Sequence, residues 1–227
     1  MKRIVSLAAA LAAVSLMTAK ADTLADWTFE TSIPATAGPF SPEIGSGSAL
    51  GFHAGAATYS SPAGNGSAHS FSANTWAVGD YWQFTVSTLG YTGIQISFDQ
   101  TSSGTGPRDF GLYYSVNGGA YAQIGANYIV LANASPNPPW NSVTSSSLYT
   151  FTPSLVSLGS ALDNATTVSF QLVDMSTVSA NGGAVAAGGT DRVDNFVVSA
   201  TPVPEPATTT LCLLGGLAGL VVLRRRS

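Results

Sequence analysis

Apolar and polar positions alternate along most of this chain. In residues 93–100, Ile94, Ile96 and Phe98 fall on one face, with Gln95, Ser97 and Asp99 on the other. A period of two marks a strand with one side in a core. Residues 81–87 and 109–116 repeat the pattern and are rich in Tyr, Trp, Phe and Val, which suit a pleated surface. The same reading places strands at 23–30, 68–73, 120–124, 148–152, 166–174 and 192–199, with weaker ones at 49–52 and 56–59. In the last strand, Val193, Phe196 and Val198 are available for the core. Asn117-Gly118-Gly119 is the strongest hairpin signal, because a type I′ turn needs positive φ at both central residues. Stretches rich in Gly, Pro and Ser at 31–65, 101–107, 135–141 and 176–190 read as loops. No helical period appears between residues 22 and 202. Roughly eight to eleven short strands at this spacing predict an all-β antiparallel sandwich. About 180 residues can bury roughly 70% of the surface of the unfolded chain, enough for one core.

Two segments break the pattern. At the start, Lys2 and Arg3 precede an apolar run at 4–17, and Ala19-Lys20-Ala21 follows. This is the layout of a secretory signal, with cleavage expected after Ala21 and Ala19 and Ala21 as the small residues of the site. At the end, Pro204-Glu205-Pro206 precedes a charge-free run at 207–223, and Arg224, Arg225 and Arg226 follow it. A run of about 17 residues is near the minimum for a helix across a bilayer, where the backbone must satisfy itself. The three arginines act as a stop-transfer cluster and hold that end on the cytoplasmic side. The prolines keep the preceding segment extended, a form that a processing enzyme can grip. The expected order is a signal peptide at 1–21, an ectodomain at 22–200, a linker at 201–206, a transmembrane helix at 207–223 and a basic tail at 224–227.

Composition narrows the choice of partners. Charged residues make up only 9% of the chain, and the net charge is −4. Residues 22–202 hold two basic residues, Arg108 and Arg192, against eleven acidic ones, a formal charge of −9. A lysine-free surface cannot neutralise phosphates, so no nucleic-acid partner is expected. The single cysteine, Cys212, lies in the apolar run, so no disulfide forms within one ectodomain.

The tail resembles the PEP-CTERM sorting signal of Gram-negative bacteria, in which Pro-Glu-Pro, a hydrophobic span and terminal arginines stand in that order. The resemblance implies a membrane-anchored precursor that is cut by an exosortase-like membrane transpeptidase. The product would pass to the cell surface or extracellular matrix, in hosts that make exopolysaccharide and biofilm. The segments 104–119, 135–141, 180–183 and 189–198 resemble a recurrent ectodomain of bacterial secreted proteins, which implies a jelly-roll-like sandwich akin to carbohydrate-binding modules. In such modules a structural Ca²⁺ is commonly held by a glutamate and an aspartate in the contexts of Glu30 and Asp194, on first and last strands that lie side by side. Hard oxygen ligands suit that ion.

Other candidates come from residue type. Arg108 and Arg192 are flanked by Asp109, and by Asp191 with Asp194, which suggests structural Arg–carboxylate pairs. The loop residue Trp140 is the expected exposed stacking residue for a sugar. Trp76, Trp82, Tyr113, Tyr114, Tyr121 and Tyr128 are further aromatics, most of them expected in the core. His53 and His69 read as loop or surface residues. G-x-S-x-G, H-E-x-x-H and P-loop patterns are absent. The expectation is therefore a non-enzymatic surface protein with a structural or adhesive role. A lectin-like module contacting exopolysaccharide is the alternative, and a β-sandwich glycosidase or lyase a third.

Overall fold

The structure is a computed structural model, and it describes residues 20–203. Ala19, Pro204, Glu205, Pro206, the apolar run at 207–223 and Arg224, Arg225 and Arg226 lie outside the described residues, as does nearly all of the expected leader. Among the described residues no helix is long and apolar enough to cross a membrane.

Twelve strands form among them: β1 Asp22–Trp27, β2 Ile44–Gly45, β3 Gly47–Phe52, β4 Tyr59–Ser60, β5 Phe71–Ala73, β6 Tyr81–Val86, β7 Tyr91–Ser102, β8 Asp109–Val116, β9 Ala122–Ile129, β10 Thr150–Phe151, β11 Val168–Asp174 and β12 Asp191–Pro202. They build two antiparallel sheets. One has the order β10-β7-β12-β1-β2, with β5 and β4 added beside the start of β12. The other has the order β3-β6-β11-β8-β9. The fold is thus all-β, as the alternation predicts.

The inward residues of the two sheets meet as aromatics. Phe84 of β6 stacks on Phe196 of β12 with centroids 3.7 Å apart and planes at 4°. Trp27 of β1 packs edge-on against both, at 5.3 and 6.0 Å. Trp82, Phe71, Phe98, Phe110 and Phe170 are fully buried around them. Each such side chain contributes about 1.5–3 kcal/mol of burial, so these rings set how the sheets face each other.

The strand boundaries shift for local reasons. The 23–30 strand ends at Trp27, because Phe29 turns to φ 57° and the carboxylate of Glu43 accepts the N–H groups of Thr28 and Thr31. The 192–199 strand grows to Asp191–Pro202 because both its edges are paired, by β7 on one side and by β5 and β1 on the other. Strand 148–152 shrinks to β10 behind a 3₁₀ turn at Ser147–Tyr149. The Asn117–Gly118 turn forms as expected, with φ of 51° and 75°, and Gly119 N–H closes it on Val116 O at 2.9 Å.

The expected linker from residue 201 does not begin there. Thr201 and Pro202 still pair with Thr92 and Tyr91, and Val203 N–H donates to Gly90 O at 2.8 Å.

Candidate functional site

Glu30 and Asp194 were the expected metal pair, and the fold brings both to one loop. β1 and β12 are neighbours, with Trp27 opposite Phe196. Glu30 Oε1 accepts the backbone N–H of His69 at 2.7 Å. Asp194 Oδ2 accepts Asn65 N–H at 2.9 Å and the Ser67 hydroxyl at 2.7 Å, and its Oδ1 accepts Asn195 N–H. The two carboxylates therefore clamp residues 64–69 onto the first and last strands. Burial pushes the Asp194 carboxyl up to about 7, against the pull of these donors, and Asp99 adds to the rise.

Gly64 shows how tightly oxygens converge here. A Cβ on it would lie 2.1–2.3 Å from Asp194 Oδ2, Ser67 Oγ and His69 O. Carboxylates, a hydroxyl and a carbonyl are the hard-oxygen set that calcium takes, so the donor chemistry fits that ion. With only two acids, the set would lean on neutral oxygens. Among the described residues no group of three or more His, Cys, Asp and Glu gathers in one place.

Trp140 departs from expectation. It is 6% exposed, and its ring packs edge-on against Tyr149 at 5.9 Å. Asn133 Oδ1 accepts its backbone N–H at 2.6 Å, and Tyr149 donates to Pro138 O at 2.6 Å. The proline-rich loop folds over its own tryptophan, so Trp140 offers no open face to a sugar. Trp76 and Trp82 are buried, as expected for sandwich aromatics.

The arginines divide. Arg108 pairs with its neighbour Asp109 through two contacts, at 2.8 and 3.1 Å, with both side chains partly exposed. This pair holds the Asp109 carboxyl below its usual range. Arg192 forms no ion pair among the described residues, and burial lowers its pKa. The expectation of two carboxylate pairs is met only at Arg108.

His53 sits in a loop after β3, yet its side chain is only 1% exposed. Its ring lies 4.5 Å from that of Trp76, and Nδ1 is 3.1 Å from Asp80 Oδ2. Burial lowers its pKa despite that carboxylate. Asp80 also accepts Ala54 N–H and Ala77 N–H, each at 2.8 Å, so it ties the loop after β3 to its own turn before β6.

The polar centre that sequence reasoning missed is Asp191, which is fully buried at the start of β12. Its Oδ1 accepts Trp82 Nε1–H at 2.6 Å and Gln100 Nε2–H at 3.0 Å. Ser102 Oγ lies 2.9 Å from Asp191 Oδ2 and 2.6 Å from Pro107 O. A hydroxyl has one hydrogen and a carbonyl only accepts. Both contacts are hydrogen bonds only when Asp191 itself carries a proton. Burial pushes this carboxyl up to about 8, in agreement with that count. Gln100 Oε1 in turn accepts the Tyr128 hydroxyl at 2.7 Å. No spacing in the sequence marks this set, since its members come from four strands.

A cleft of about 540 Å³ lies beside Ile94, Ile96, Leu155 and Leu162, and its single acid is Asp163. Hydrolysis of a glycosidic bond uses two opposed carboxyl groups, and this cleft brings one.

The geometry defines an all-β domain with a hydrogen-bonded acidic interior and a clamped loop between its first and last strands. Residues 202–226 match the PEP-CTERM protein-sorting motif, so the chain carries that sorting signal directly behind β12. Among curated proteins nothing matches. Among solved structures, the K2 cleaved adhesin domain of Lys-gingipain is similar at 10% identity and a TM-score of 0.42, over 78% of this chain and 97% of that one. The enzymatically active domain of tailspike protein 4 of bacteriophage CBA120 is similar at 12% identity and a TM-score of 0.34. That match covers 67% of this chain and 18% of the tailspike chain.

Proposed function

We propose that this is an exported, non-enzymatic display protein with a structural or adhesive role. A jelly-roll-like domain is carried through the inner membrane, held by its tail and released to the cell surface or matrix by an exosortase-like transpeptidase. The sorting motif at residues 202–226 carries this reading. The last sheet hydrogen bond, at Val203, leaves Pro204 as the next residue, so the motif follows the folded body without a spacer. The test is made in the native host, with the full chain and with a deletion of residues 204–206. Fractionation and C-terminal sequencing should show the wild type shortened and out of the inner membrane, and the deletion uncut and retained. An unchanged size and destination for the deletion would overturn the reading.

The anchoring of the 64–69 loop by both Glu30 and Asp194 supports one addition, a structural calcium ion held by these two carboxylates with neutral oxygens of the loop. It would tie β1 and β12 to the 64–69 loop. Binding to the folded state alone stabilises it by about 2.7 kcal/mol at a hundredfold excess over Kd. The melting temperature should rise in calcium relative to chelator, and Glu30→Ala should abolish the rise. No shift in the wild type rules the ion out.

A further inference from the structure

We infer that the outer face of the sheet β3-β6-β11-β8-β9 is a binding site for a neutral polysaccharide chain. The inference deepens the adhesive half of the proposed function and does not depend on sorting.

The register of the strands lines up three rows of outward side chains. One row runs Leu50–Gln83–Gln171–Tyr113–Gln123 across all five strands. A second runs Phe52–Tyr81–Val173–Gly111. A third runs Ser48–Thr85–Ser169–Ser115. The only charged residues in these five strands are Asp109 and Asp174, at one end. A domain with eleven acids thus keeps this face free of them except at the Asp109 end and fills it with amides, hydroxyls and aromatic rings.

Two of the aromatics are set as platforms. Tyr121 precedes β9, yet its hydroxyl donates to Gln83 Oε1 of β6 at 2.8 Å. To reach it the ring must pass over β8 and β11 along the sheet. Ser169 of β11, on the outward row, is only 9% exposed, while Tyr121 itself stays 41% exposed. One face of the ring lies on the sheet and the other is open to water. Phe52, 45% exposed, stacks on Tyr81 with centroids 4.9 Å apart and planes at 15°. Tyr113 lies against Gly111, where a Cβ would meet its ring at 2.8 Å.

Hydrogen bonds hold the amides between these rings in place. Gln171 Nε2–H donates to Gln83 Oε1 at 2.9 Å, Gln123 Nε2–H donates to Asn127 Oδ1 at 2.7 Å, and Tyr113 donates to Gln123 Oε1. Gln83 Oε1 is saturated by two donors and Gln171 is buried, so the groups open to solvent are at exposed Gln123 and at exposed Asn127, whose Nδ2 hydrogens have no partner among the described residues. A pyranose presents an apolar C–H face and a rim of hydroxyls that both donate and accept. Flat rings take the first, and amides, which also donate and accept, take the second. An ionic polymer would find no counter-charge here. A protein partner would meet a face with few large aliphatic anchors.

The experiment uses the full chain in mild detergent, run in native gels containing soluble β-1,3-glucan, β-1,4-xylan or galactomannan, with alginate as the charged control. At least one neutral polymer should retard the protein independently of salt. Tyr121→Ala and Gln123→Ala should each weaken that retardation about tenfold, equivalent to about 1.4 kcal/mol, with unchanged melting temperatures. Lack of retardation by any neutral polymer overturns the inference. So does equal retardation of Tyr121→Ala, or binding to alginate alone that fades with salt. A dimer in light scattering that Tyr121→Ala abolishes would assign the face to a second copy instead. Sorting, read by fractionation, should be the same in every variant, which separates failure here from failure of the sorting reading.

Discussion

A tyrosine hydroxyl donates to a glutamine carbonyl both beside the core and in the open in this protein. Tyr128 donates to Gln100 Oε1 at 2.7 Å, and Gln100 passes the network on to Asp191. Tyr121 donates to Gln83 Oε1 at 2.8 Å on the outer face of the opposite sheet. At the core, burial lifts the Tyr128 hydroxyl well above its usual range, and the bond satisfies the amide oxygen of fully buried Gln100. Outside, water competes for every group, so the bond adds little stability and instead fixes where a ring points. The distance is nearly the same, but the surroundings decide whether the bond holds the fold together or prepares a surface.

The sharpest way to break that comparison is to empty the inner network. Asp191→Ala leaves Trp82 Nε1 and Gln100 Nε2 without an acceptor and should cost about 3 kcal/mol in chemical denaturation. Asp191→Asn keeps the neutral acid's pattern of one acceptor and one donor, and should cost about 1 kcal/mol. If the alanine variant is as stable as the wild type, the interior network does not hold the sheets.

The proton on Asp191 makes a second test. Its folded pKa of about 8 lies above the ordinary carboxylate value of 3.8, so the folded state keeps a proton that the unfolded chain releases. The stability it contributes is complete below about 3.8 and is lost as pH rises toward 8. Asp194, at about 7, acts in the same direction. His53, with a lowered pKa, opposes them only below about 6.5, where the unfolded chain takes up a proton that the folded ring refuses. The melting temperature should therefore be higher at pH 6.5 than at pH 8.5. Asp191→Asn should flatten that slope, and an equally steep slope in the variant would place the proton elsewhere.

The paired tyrosines compare the two settings directly. Tyr128→Phe strands Gln100 Oε1 and should cost about 1–2 kcal/mol, whereas Tyr121→Phe should cost under about 0.5 kcal/mol. Equal costs would erase the distinction between inside and outside. The smallest effect is expected at Arg108→Ala, where a partly exposed pair of adjacent residues should leave the melting temperature almost unchanged. A loss of several degrees in melting temperature would show that the pair carries more than its exposure suggests.

Much of the fold was legible from the residues because sheet alternation is local. Residues 109–116 form the strand expected of them, and Asn117–Gly118 turns it, since both depend on side chains a few positions apart. Asp191 was not legible as a buried acid. It stands beside Arg192 and near Asp194, and reads as a partner of that arginine in a structural ion pair. Only the pairing of β12 with β7 and β5 places it over Gln100, Ser102 and Trp82. Trp140 misled in the opposite direction, because a proline-rich loop looks exposed until Tyr149 is packed beneath it. Tyr113 and Tyr121 were among the candidate aromatics, but nothing in their neighbours showed that Gln83, Gln171 and Phe52 would join them on one plane.

The sequence by itself determined the strand class of the body and the sorting motif behind it. Each of these is written in residues close together in the chain, as periodicity or as a fixed succession of Pro-Glu-Pro, apolar run and arginines. The tertiary structure alone decided which acids are buried, which rings face water and which strands share a row. Those properties depend on register between segments far apart in the chain, as with the bond from Asp191 to Trp82, 109 positions away. A side chain's local neighbours do not reveal what the opposite strand will place beside it.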